Sequence, residues 1–500
     1  MKLTTIYKSI ILSIPVLFIL GCNDLLDVEA ENSLSGNVFV TDQNFEDALN
    51  GAYVNLGGIY DGVDGGELYG GGFQLMGTLL SRQKNSLFFW RSSEAPNYQD
   101  FMDKDVLDIN LTVESNWRRA YETINIVNGI LTNISNIDNA DLRERIEGEA
   151  LAIRGMIYFE LVRFWAPQYE ASTLNSPAVP ILLEPVNDVN DLPDLTQATV
   201  IDVYTRAITD LEGAEALLGG VTLDRTRINV DVCRAFLARI AMQQNDFNTA
   251  LGYLNQVVPQ YTLSATAMGA FNNTSISTED VFVVQQNSES TSGNIATRTG
   301  LTAHLGSLPD IGFAALNINY EVLGNNVENS PLFYSADDRY TLQDDLEVTS
   351  TSSDIEPTAA YYNDVINTLA TSTAKFKRSE ANIPVIRLAE LLLSRAEAAL
   401  EDGGFASPVT GTPLADLNAI RTRAGLPALL DTLTADEFYD SLIVERNREL
   451  IFEGIYFHDL KRLEANGRRV FGISFLSPLD PSLILPIPQA ECDASPGLCD

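Results

Sequence analysis

The chain has 500 residues, of which 68 are Asp or Glu and 32 are Lys or Arg, so its formal net charge at pH 7 is −36. A protein this acidic repels phosphate backbones, which argues against a nucleic acid as its partner. With 45% hydrophobic residues and 33 Gly, the composition predicts a globular protein that is large enough to bury a core.

The first 22 residues have the layout of a lipoprotein signal. Two lysines precede an apolar stretch that ends at Leu20, and the small Gly21 stands directly before Cys22. This order is typical of a secretory signal peptide, and the apolar run is shorter than the roughly 20 residues of a membrane-spanning helix. We therefore predict cleavage before Cys22 and lipidation of its thiol, although Ile19 stands where a bacterial lipobox prefers Leu. A plain signal peptide with an incidental cysteine is the alternative.

Helical periodicity dominates the rest of the chain. Between Arg143 and Phe164, apolar residues recur every three or four positions, which places them on one face of a helix. The same spacing predicts further helices over residues 45–56, 113–134, 200–218, 230–242, 386–400 and 438–463.

Two helix pairs resemble tetratricopeptide units. In the first, alanines before and after the turn at Asn245 and Asp246 allow two helices to approach closely. In the second, residues 391–400 are followed, after a loop rich in Gly and Pro, by residues 414–423. The repeats are degenerate and interrupted, so the pattern does not indicate a plain solenoid.

Two regions, residues 57–110 and 262–374, break the helical pattern. The first contains a glycine cluster, and the second is rich in Ser, Thr, Asn and Gly around a strand-like run at residues 281–285. Long segments without helices are usually functional or disordered. Their aromatic residues argue against disorder, so we expect a ligand to bind here.

Cysteine usage fits an exported protein. Cys233 lies in an alanine-rich helical stretch and is expected to behave as a small buried hydrophobe. Cys492 and Cys499 bracket a turn-prone sequence that would bring two thiols together. We predict a disulfide between them that holds the C-terminal tail in place.

Motifs of the common enzyme classes are absent from the sequence. There is no nucleophile elbow, phosphate loop, His-Glu-x-x-His motif or EF-hand loop, and two histidines, His304 and His458, are too few for a multi-histidine metal site. We therefore expect a protein without catalytic residues, metal or cofactor, and a scaffold role for His458. A pair of carboxylates for glycoside hydrolysis stays open, because 68 acidic residues always offer some pair.

The charged run from Glu445 to Gly454 allows two interpretations. Its acidic and basic residues stand at the spacing of helical neighbours, as Glu445 does with Arg448 and Glu449. A catalytic role is conceivable, but the interpretation we favour is an ion-paired helix that holds the C-terminal helices together.

Several motifs along the chain resemble those of the RagB/SusD family of nutrient-binding outer-membrane lipoproteins. The resemblance covers residues 22–500, and its most specific part is C-terminal. The matching segments are Cys22–Asp27, Asn44–Tyr53, Trp117–Asn128, Gly148–Arg154, Tyr158–Arg163, Ile386–Glu390, Arg395–Glu397, Leu417–Pro427, Glu445–Arg446, Glu449–Leu450, Glu453–Gly454, Asp459–Leu460 and Leu485–Pro488. Residues 57–110 and 262–374 match no family motif.

The resemblance implies a mostly α fold, namely a SusD-like helical body with four tetratricopeptide-like helix pairs, long ligand-face loops and a few short strands. It implies a signal peptide at residues 1–21, an N-terminal SusD-like region at 22–225 and a C-terminal RagB/SusD region at 226–500, the last two forming one globule.

The implied role is that of a palmitate-bearing lipoprotein on the exterior of the outer membrane. It would capture a glycan, or alternatively a peptide, for a TonB-dependent SusC-like transporter. A lipoprotein hydrolase, or a structural partner of the transporter that binds no ligand strongly, are the other hypotheses.

A sugar site needs a flat apolar face together with amides or cations. Trp117 and Trp165 fall on scaffold helices and are expected in the core, whereas Trp90 lies in the first non-helical region. Burial of Trp90 in a short strand is the alternative. The predicted ligand-binding residues are Trp90, Arg82, Lys84, Asn85, Arg91, Tyr98 and Tyr69, with weaker candidates at Tyr320, Phe333, Tyr334, Tyr361 and Tyr362.

Overall fold

The computed structural model describes residues 38–58, 66–81, 88–90, 96–187, 195–221, 225–286, 301, 316–319, 361–363, 370–373, 375, 376, 378, 381–468 and 480–499. For residues 88–90, 96, 97, 316–319, 361–363 and 370–373 the description is limited to the backbone. Among all these residues, no helix is both long and apolar enough to cross a membrane.

The described part of the chain contains thirteen helices, most of which lie where the apolar stripes predict them. They are α1 (Asp42–Leu56), α2 (Gly72–Leu80), α3 (Pro96–Asp103), α4 (Leu111–Asn133), α5 (Ala140–Trp165), α6 (Val200–Leu218), α7 (Val230–Gln243), α8 (Phe247–Val257), α9 (Leu388–Asp402), α10 (Thr412–Arg423), α11 (Ala435–Glu449), α12 (Tyr456–Ala465) and α13 (Gln489–Ala494).

The beginnings of three helices are encoded locally. Thr41, Thr199 and Thr434 each accept a hydrogen bond from the backbone N–H three residues further on, and the side chain at that position accepts one in return. This capping box satisfies backbone donors that a helix start leaves unpaired. The mostly α fold and both predicted helix pairs, α7 with α8 and α9 with α10, are confirmed.

Two small sheets accompany the helices. Strands β2 (Asp280–Val284) and β6 (Ile383–Arg387) form an antiparallel pair whose ten residues are all buried. The other sheet is antiparallel with the order β1-β3-β5-β4, and it consists of β1 (Phe88–Trp90), β3 (Leu316–Asn319), β4 (Tyr361–Asn363) and β5 (Ala370–Thr373).

The described residues from 39 to 185 and from 195 to 499 belong to one compact unit. Within this unit, α5 is buried along almost all of its second half and packs against both α4 and α6. Gly155 makes the approach of α6 possible, because a Cβ atom at this position would lie 2.9 Å from the carbonyl oxygen of Ala207. The boundary predicted between residues 225 and 226 stays a prediction.

Three expectations about the elements were wrong. The region at 57–110 contains α2 and α3, and α2 was missed because all nine of its residues are buried, which leaves no polar face to create a periodic pattern. The predicted helix at 386–400 begins at Leu388, since the residues before it complete β6. The predicted helix at 438–463 is interrupted after Glu449, where Phe452 and Gly454 have φ angles of 67° and 76°.

His458 is buried on α12, as its predicted scaffold role requires, with its ring 4.6 Å from the ring of Phe164. Burial, reinforced by the nearby cations Arg163 and Lys461, holds the pKa of His458 well below its usual value. The imidazole is therefore neutral in the folded protein, whereas in the unfolded chain it takes up a proton as the pH falls through about 6.5. Acidification thus favours the unfolded state at this residue.

We expect His458 to lower the free energy of unfolding by about 1 kcal/mol when the pH falls from about 7.5 to about 5.5. The His458→Gln variant cannot take up this proton, so its stability should depend less on pH over the same range. Urea titrations of both proteins at the two pH values measure the difference. Equal acid sensitivity of the two proteins would contradict the expectation.

Candidate functional site

The two non-helical regions of the sequence meet in the four-stranded sheet. Strand β1 comes from the first region, and its Trp90 is paired with Leu316 of β3. Strands β3, β5 and β4 come from the second region, and Tyr361 of β4 is paired with Thr373 of β5. The sheet thereby joins segments more than 200 residues apart, and it is our candidate ligand site.

Three of the candidate aromatic residues belong to strands at opposite edges of this sheet. Trp90 belongs to the edge strand β1, and Tyr361 and Tyr362 belong to the edge strand β4. Neighbouring strands lie about 4.8 Å apart, so the two edges are separated by roughly 14 Å. A ligand that reached both edges would have to be an oligomer.

The other predicted residues divide into two groups. Two of them, Tyr69 and Tyr98, lie among the described residues. The remaining candidates lie outside the described residues, namely Arg82, Lys84, Asn85, Arg91, Tyr320, Phe333 and Tyr334. Ligand contact at these positions stays a prediction.

Tyr69 and Tyr98 are located in the interior of the protein. Tyr69 is 3% exposed, and its hydroxyl group donates a hydrogen bond to Glu160 Oε1 over 3.1 Å. Burial raises the pKa of Tyr69 well above its ordinary value, and the charge of Glu160 adds to the effect. Tyr98 is 8% exposed. A ligand would reach either ring only after neighbouring residues moved, so their contact with ligand also stays a prediction.

A buried group of charged side chains lies where the second region rejoins the helical body. We call it the Arg387 cluster. It consists of three cations and three acids, none more than about a tenth exposed, namely Lys375, Arg387, Arg423, Glu279, Glu449 and Glu453.

Arg387 is at the centre of this cluster. Its guanidinium donates to Glu449 Oε1 over 2.7 Å and to both carboxylate oxygens of Glu453 over 2.8 Å. Arg423 donates to Glu279 over 2.8 Å and also pairs with Glu449. Since each carboxylate is held by cations in the interior, the cluster fits a structural role and offers no exposed acid or base.

The electrostatics of the cluster follow from burial and pairing. Burial by itself would raise the pKa of Glu453, but Arg387 and Lys375 together lower it below its ordinary value. Burial lowers the pKa of Lys375, although Glu453 opposes that shift. At Glu279 burial prevails over the two arginines and raises the pKa.

Sequence reasoning missed Lys375 and Glu279. Glu279 directly precedes β2 and Lys375 follows β5 by two residues, so no helical spacing connects either residue with a partner in the sequence. By contrast, the ion pairing predicted for Glu445 is confirmed, because Arg421 and Arg448 lie 3.2 and 3.7 Å from its carboxylate. Across the described ranges, no three His, Cys, Asp or Glu side chains are grouped so that they could hold a metal ion.

The core positions predicted for Trp117, Trp165 and Cys233 and the predicted C-terminal disulfide are confirmed. Trp117 is 1% exposed, and its ring lies 5.6 Å from that of Trp165, which is also buried. Cys233 is buried and free. Cys492 and Cys499 form a disulfide with a Cα–Cα distance of 5.6 Å.

Family models match two long segments of the chain. A model described as "SusD family" matches residues 334–499, and a model described as "Starch-binding associating with outer membrane" matches residues 24–242. The chain is 24% identical to SusD-like protein P2 of Formosa agariphila over 95% of each protein.

Solved structures agree in fold. A SusD superfamily protein from Bacteroides fragilis has a TM-score of 0.71 at 20% identity and covers 93% of this chain and 100% of its own. A SusD-like carbohydrate binding protein from Bacteroides vulgatus has a TM-score of 0.71 at 19% identity, over 92% of this chain and 97% of its own. The motifs, the family models and the shared fold agree, and the chain belongs to the RagB/SusD family.

Proposed function

We propose that this protein is a lipid-anchored binding protein on the cell surface that captures a nutrient, preferentially an oligo- or polysaccharide, and delivers it to a TonB-dependent SusC-like transporter. The observation that carries the proposal is the match of residues 24–242 to a family described as starch-binding and associating with the outer membrane. The carbohydrate binding named for the Bacteroides vulgatus structure supports it.

The chemistry of the candidate site suits a saccharide. Trp90, Tyr361 and Tyr362 belong to the edge strands of one sheet, and aromatic rings offer the flat apolar surface on which a sugar ring stacks. Arg82, Lys84 and Asn85 precede β1 in the sequence and could satisfy sugar hydroxyl groups. The mechanism is capture without bond cleavage, in which stacking gives affinity and hydrogen bonds give selectivity.

A peptide is the second candidate ligand. Among the described strands, β1 and β4 form the edges of the sheet, and an extended peptide can add to such an edge through main-chain hydrogen bonds. The edge strands have three residues each, which limits the number of these bonds. A lipoprotein hydrolase is the third hypothesis.

The ligand hypotheses are separated by incubating residues 23–500 with soluble starch, with pools of other glycans and with a casein peptide pool. We expect saturable binding of a glycan, measured by calorimetry, with no new reducing ends after prolonged incubation. Binding of peptide without binding of any glycan would favour the peptide hypothesis over the glycan hypothesis. Turnover would indicate a hydrolase, and neither binding nor turnover would indicate a structural partner of the transporter.

The proposed anchor is a lipid on Cys22, which places the protein on the outer membrane facing the exterior. One acyl chain binds a membrane only reversibly, so stable anchoring requires the several chains of a lipoprotein. We expect palmitate among these acyl chains, and a labelled palmitate analogue would detect it.

We expect Cys22→Ser to abolish lipidation and to leave the protein unprocessed or mislocalised. The reason is that the thiol of Cys22 is the proposed nucleophile, and a hydroxyl group does not replace it. Metabolic labelling with a palmitate analogue, followed by membrane fractionation, is the measurement. Cys233→Ser, which changes a buried thiol, is the matched control and should label like the wild type. Equal labelling of Cys22→Ser and wild type would refute the anchor.

A further inference from the structure

After the end of α11, residues 450–455 form a loop that contacts two chain segments adjacent in sequence to strands of the candidate site. On one side it meets α2, the helix that precedes β1. A Cβ atom at Gly77 would lie 2.1 Å from the carbonyl oxygen of Gly454, and one at Gly454 would lie 2.6 Å from the Cα atom of Gln74. The two backbones are therefore in direct contact, and neither glycine can be enlarged without displacing the other segment.

The loop also contacts Lys375, which lies two residues after Thr373, the last residue of β5. Lys375 is 3% exposed. Its ammonium group donates to the carbonyl oxygens of Glu449 and Ile451 over 2.7 and 3.0 Å and to Glu453 Oε1 over 2.6 Å. An ammonium group has three donors, so these three bonds satisfy it completely.

The loop itself is fixed in place. Arg387 donates to the carbonyl oxygen of Glu449 over 2.9 Å and to the carboxylate of Glu453. Phe452 is buried with a φ of 67°, a backbone conformation that a non-glycine residue adopts only where its surroundings enforce it. The loop is thus a rigid point between the helical body and the two chain segments that lead to the sheet.

Strand β5 is internal in the sheet, since it is paired with β3 on one side and β4 on the other. A constraint on Lys375, two residues beyond β5, therefore acts on the strands that carry the candidate ligand residues Trp90, Tyr361 and Tyr362. We propose that Lys375 is a positioning residue, which fixes the four-stranded sheet to the 450–455 loop in the arrangement that captures ligand. This proposal rests on the proposed function for its consequence in binding, but its structural part can be measured without ligand.

The test compares two buried lysines in the full-length protein purified in detergent. Lys461 resembles Lys375, because it is buried and donates to two backbone carbonyl groups, those of Arg163 and Ala166, but its partners belong to the helical body. The variants Lys375→Met and Lys461→Met both remove an ammonium group and keep an unbranched side chain. Glu453→Gln is a milder third variant that weakens the same contact. It takes the place of Lys375→Met if that variant does not fold.

The first readout is amide hydrogen exchange, and the second is retention of the folded protein by soluble starch in affinity electrophoresis. We expect Lys375→Met, or Glu453→Gln in its place, to accelerate exchange in peptides containing β1, β3, β4 and β5 by about tenfold relative to the helices. In the same variant, retention of the folded protein by soluble starch should decrease. Lys461→Met should affect neither the sheet peptides nor retention in a folded sample.

Exchange that rises equally over the whole chain, or no more in the sheet than for Lys461→Met, would overturn the proposal. Faster exchange in the sheet with unchanged retention by starch would overturn its consequence for binding. If the wild-type protein is not retained by starch, the part of the proposed function that concerns starch as a ligand is contradicted. The exchange comparison then still decides whether Lys375 positions the sheet.

Discussion

Replacing Arg462 by Met should lower the free energy of unfolding by about 3–5 kcal/mol, because it removes one partner of a buried ion pair and leaves the other uncompensated. Arg462 is 1% exposed and donates to the two carboxylate oxygens of Glu397 over 2.6 and 2.8 Å. It also donates to Asp459 over 3.0 Å. The bonds to Glu397 connect α12 with α9, so their loss should destabilise the C-terminal helices.

The electrostatics of Asp459 explain why the effect is large. Burial would raise the pKa of Asp459, but Arg446 and Arg462 lower it below its ordinary value, so the carboxylate is ionised in the interior. Without Arg462, the charge on Glu397 has lost the guanidinium that neutralised it. The hydroxyl group of Tyr439, which donates to Glu397 over 3.2 Å, cannot replace that charge.

Urea unfolding measures the difference, and Arg118→Met is the matched control. Arg118 pairs with Glu122 over 3.1 Å, but both side chains are more than a third exposed. An exposed pair contributes about 0–1 kcal/mol, so the control should be close to the wild type. Similar urea midpoints for Arg462→Met and Arg118→Met would show that the buried pair adds little to stability.

Replacing Trp90 by Ala should weaken ligand capture by about tenfold or more and leave the fold intact, whereas replacing Trp117 by Ala should chiefly destabilise the protein. A tenfold loss corresponds to about 1.4 kcal/mol of binding free energy. Trp117 packs in the core with ring centroids 4.9 Å from Tyr121 and 5.6 Å from Trp165, and the loss of a core tryptophan costs about 3–5 kcal/mol of stability.

Melting temperature and calorimetric affinity, measured on both variants, distinguish the two roles. The ligand in this experiment is the glycan that the wild-type protein binds in the panel described above. A Trp90→Ala protein that melts early, and whose folded fraction binds normally, would place Trp90 among the core residues. The ligand contacts would then have to be sought in the second non-helical region, where Tyr361 and Tyr362 are the described candidates.

The positions of helices and of several core residues were predictable, because the necessary information is local. An amphipathic stripe repeats within a few residues, so the pattern between Arg143 and Phe164 identified most of α5. Trp117 belongs to such a stripe, and the cysteine spacing at 492 and 499 is short enough to suggest the disulfide. The family motifs, which lie mainly in these helices, were readable for the same reason.

The candidate site was predictable only as two separate regions. Its sheet pairs Phe88 with Ile318, and backbone hydrogen bonds across such a distance leave no periodic signal in either segment. The break in the apolar stripe after Glu449 was also hidden, since the residues of the loop are as apolar as those of a helix.

The sequence by itself determined the helical body and the family, and it predicts the lipid anchor at Cys22, because helix periodicity and short motifs are properties of neighbouring residues. The tertiary structure decided that the two non-helical regions contribute strands to one sheet, that Tyr69 lies inside the body, and that Lys375 bonds to the loop at 450–455. Each of these depends on which distant segment supplies the hydrogen-bond partner. A buried polar group must find such a partner, but its own sequence neighbourhood does not specify where along the chain that partner lies.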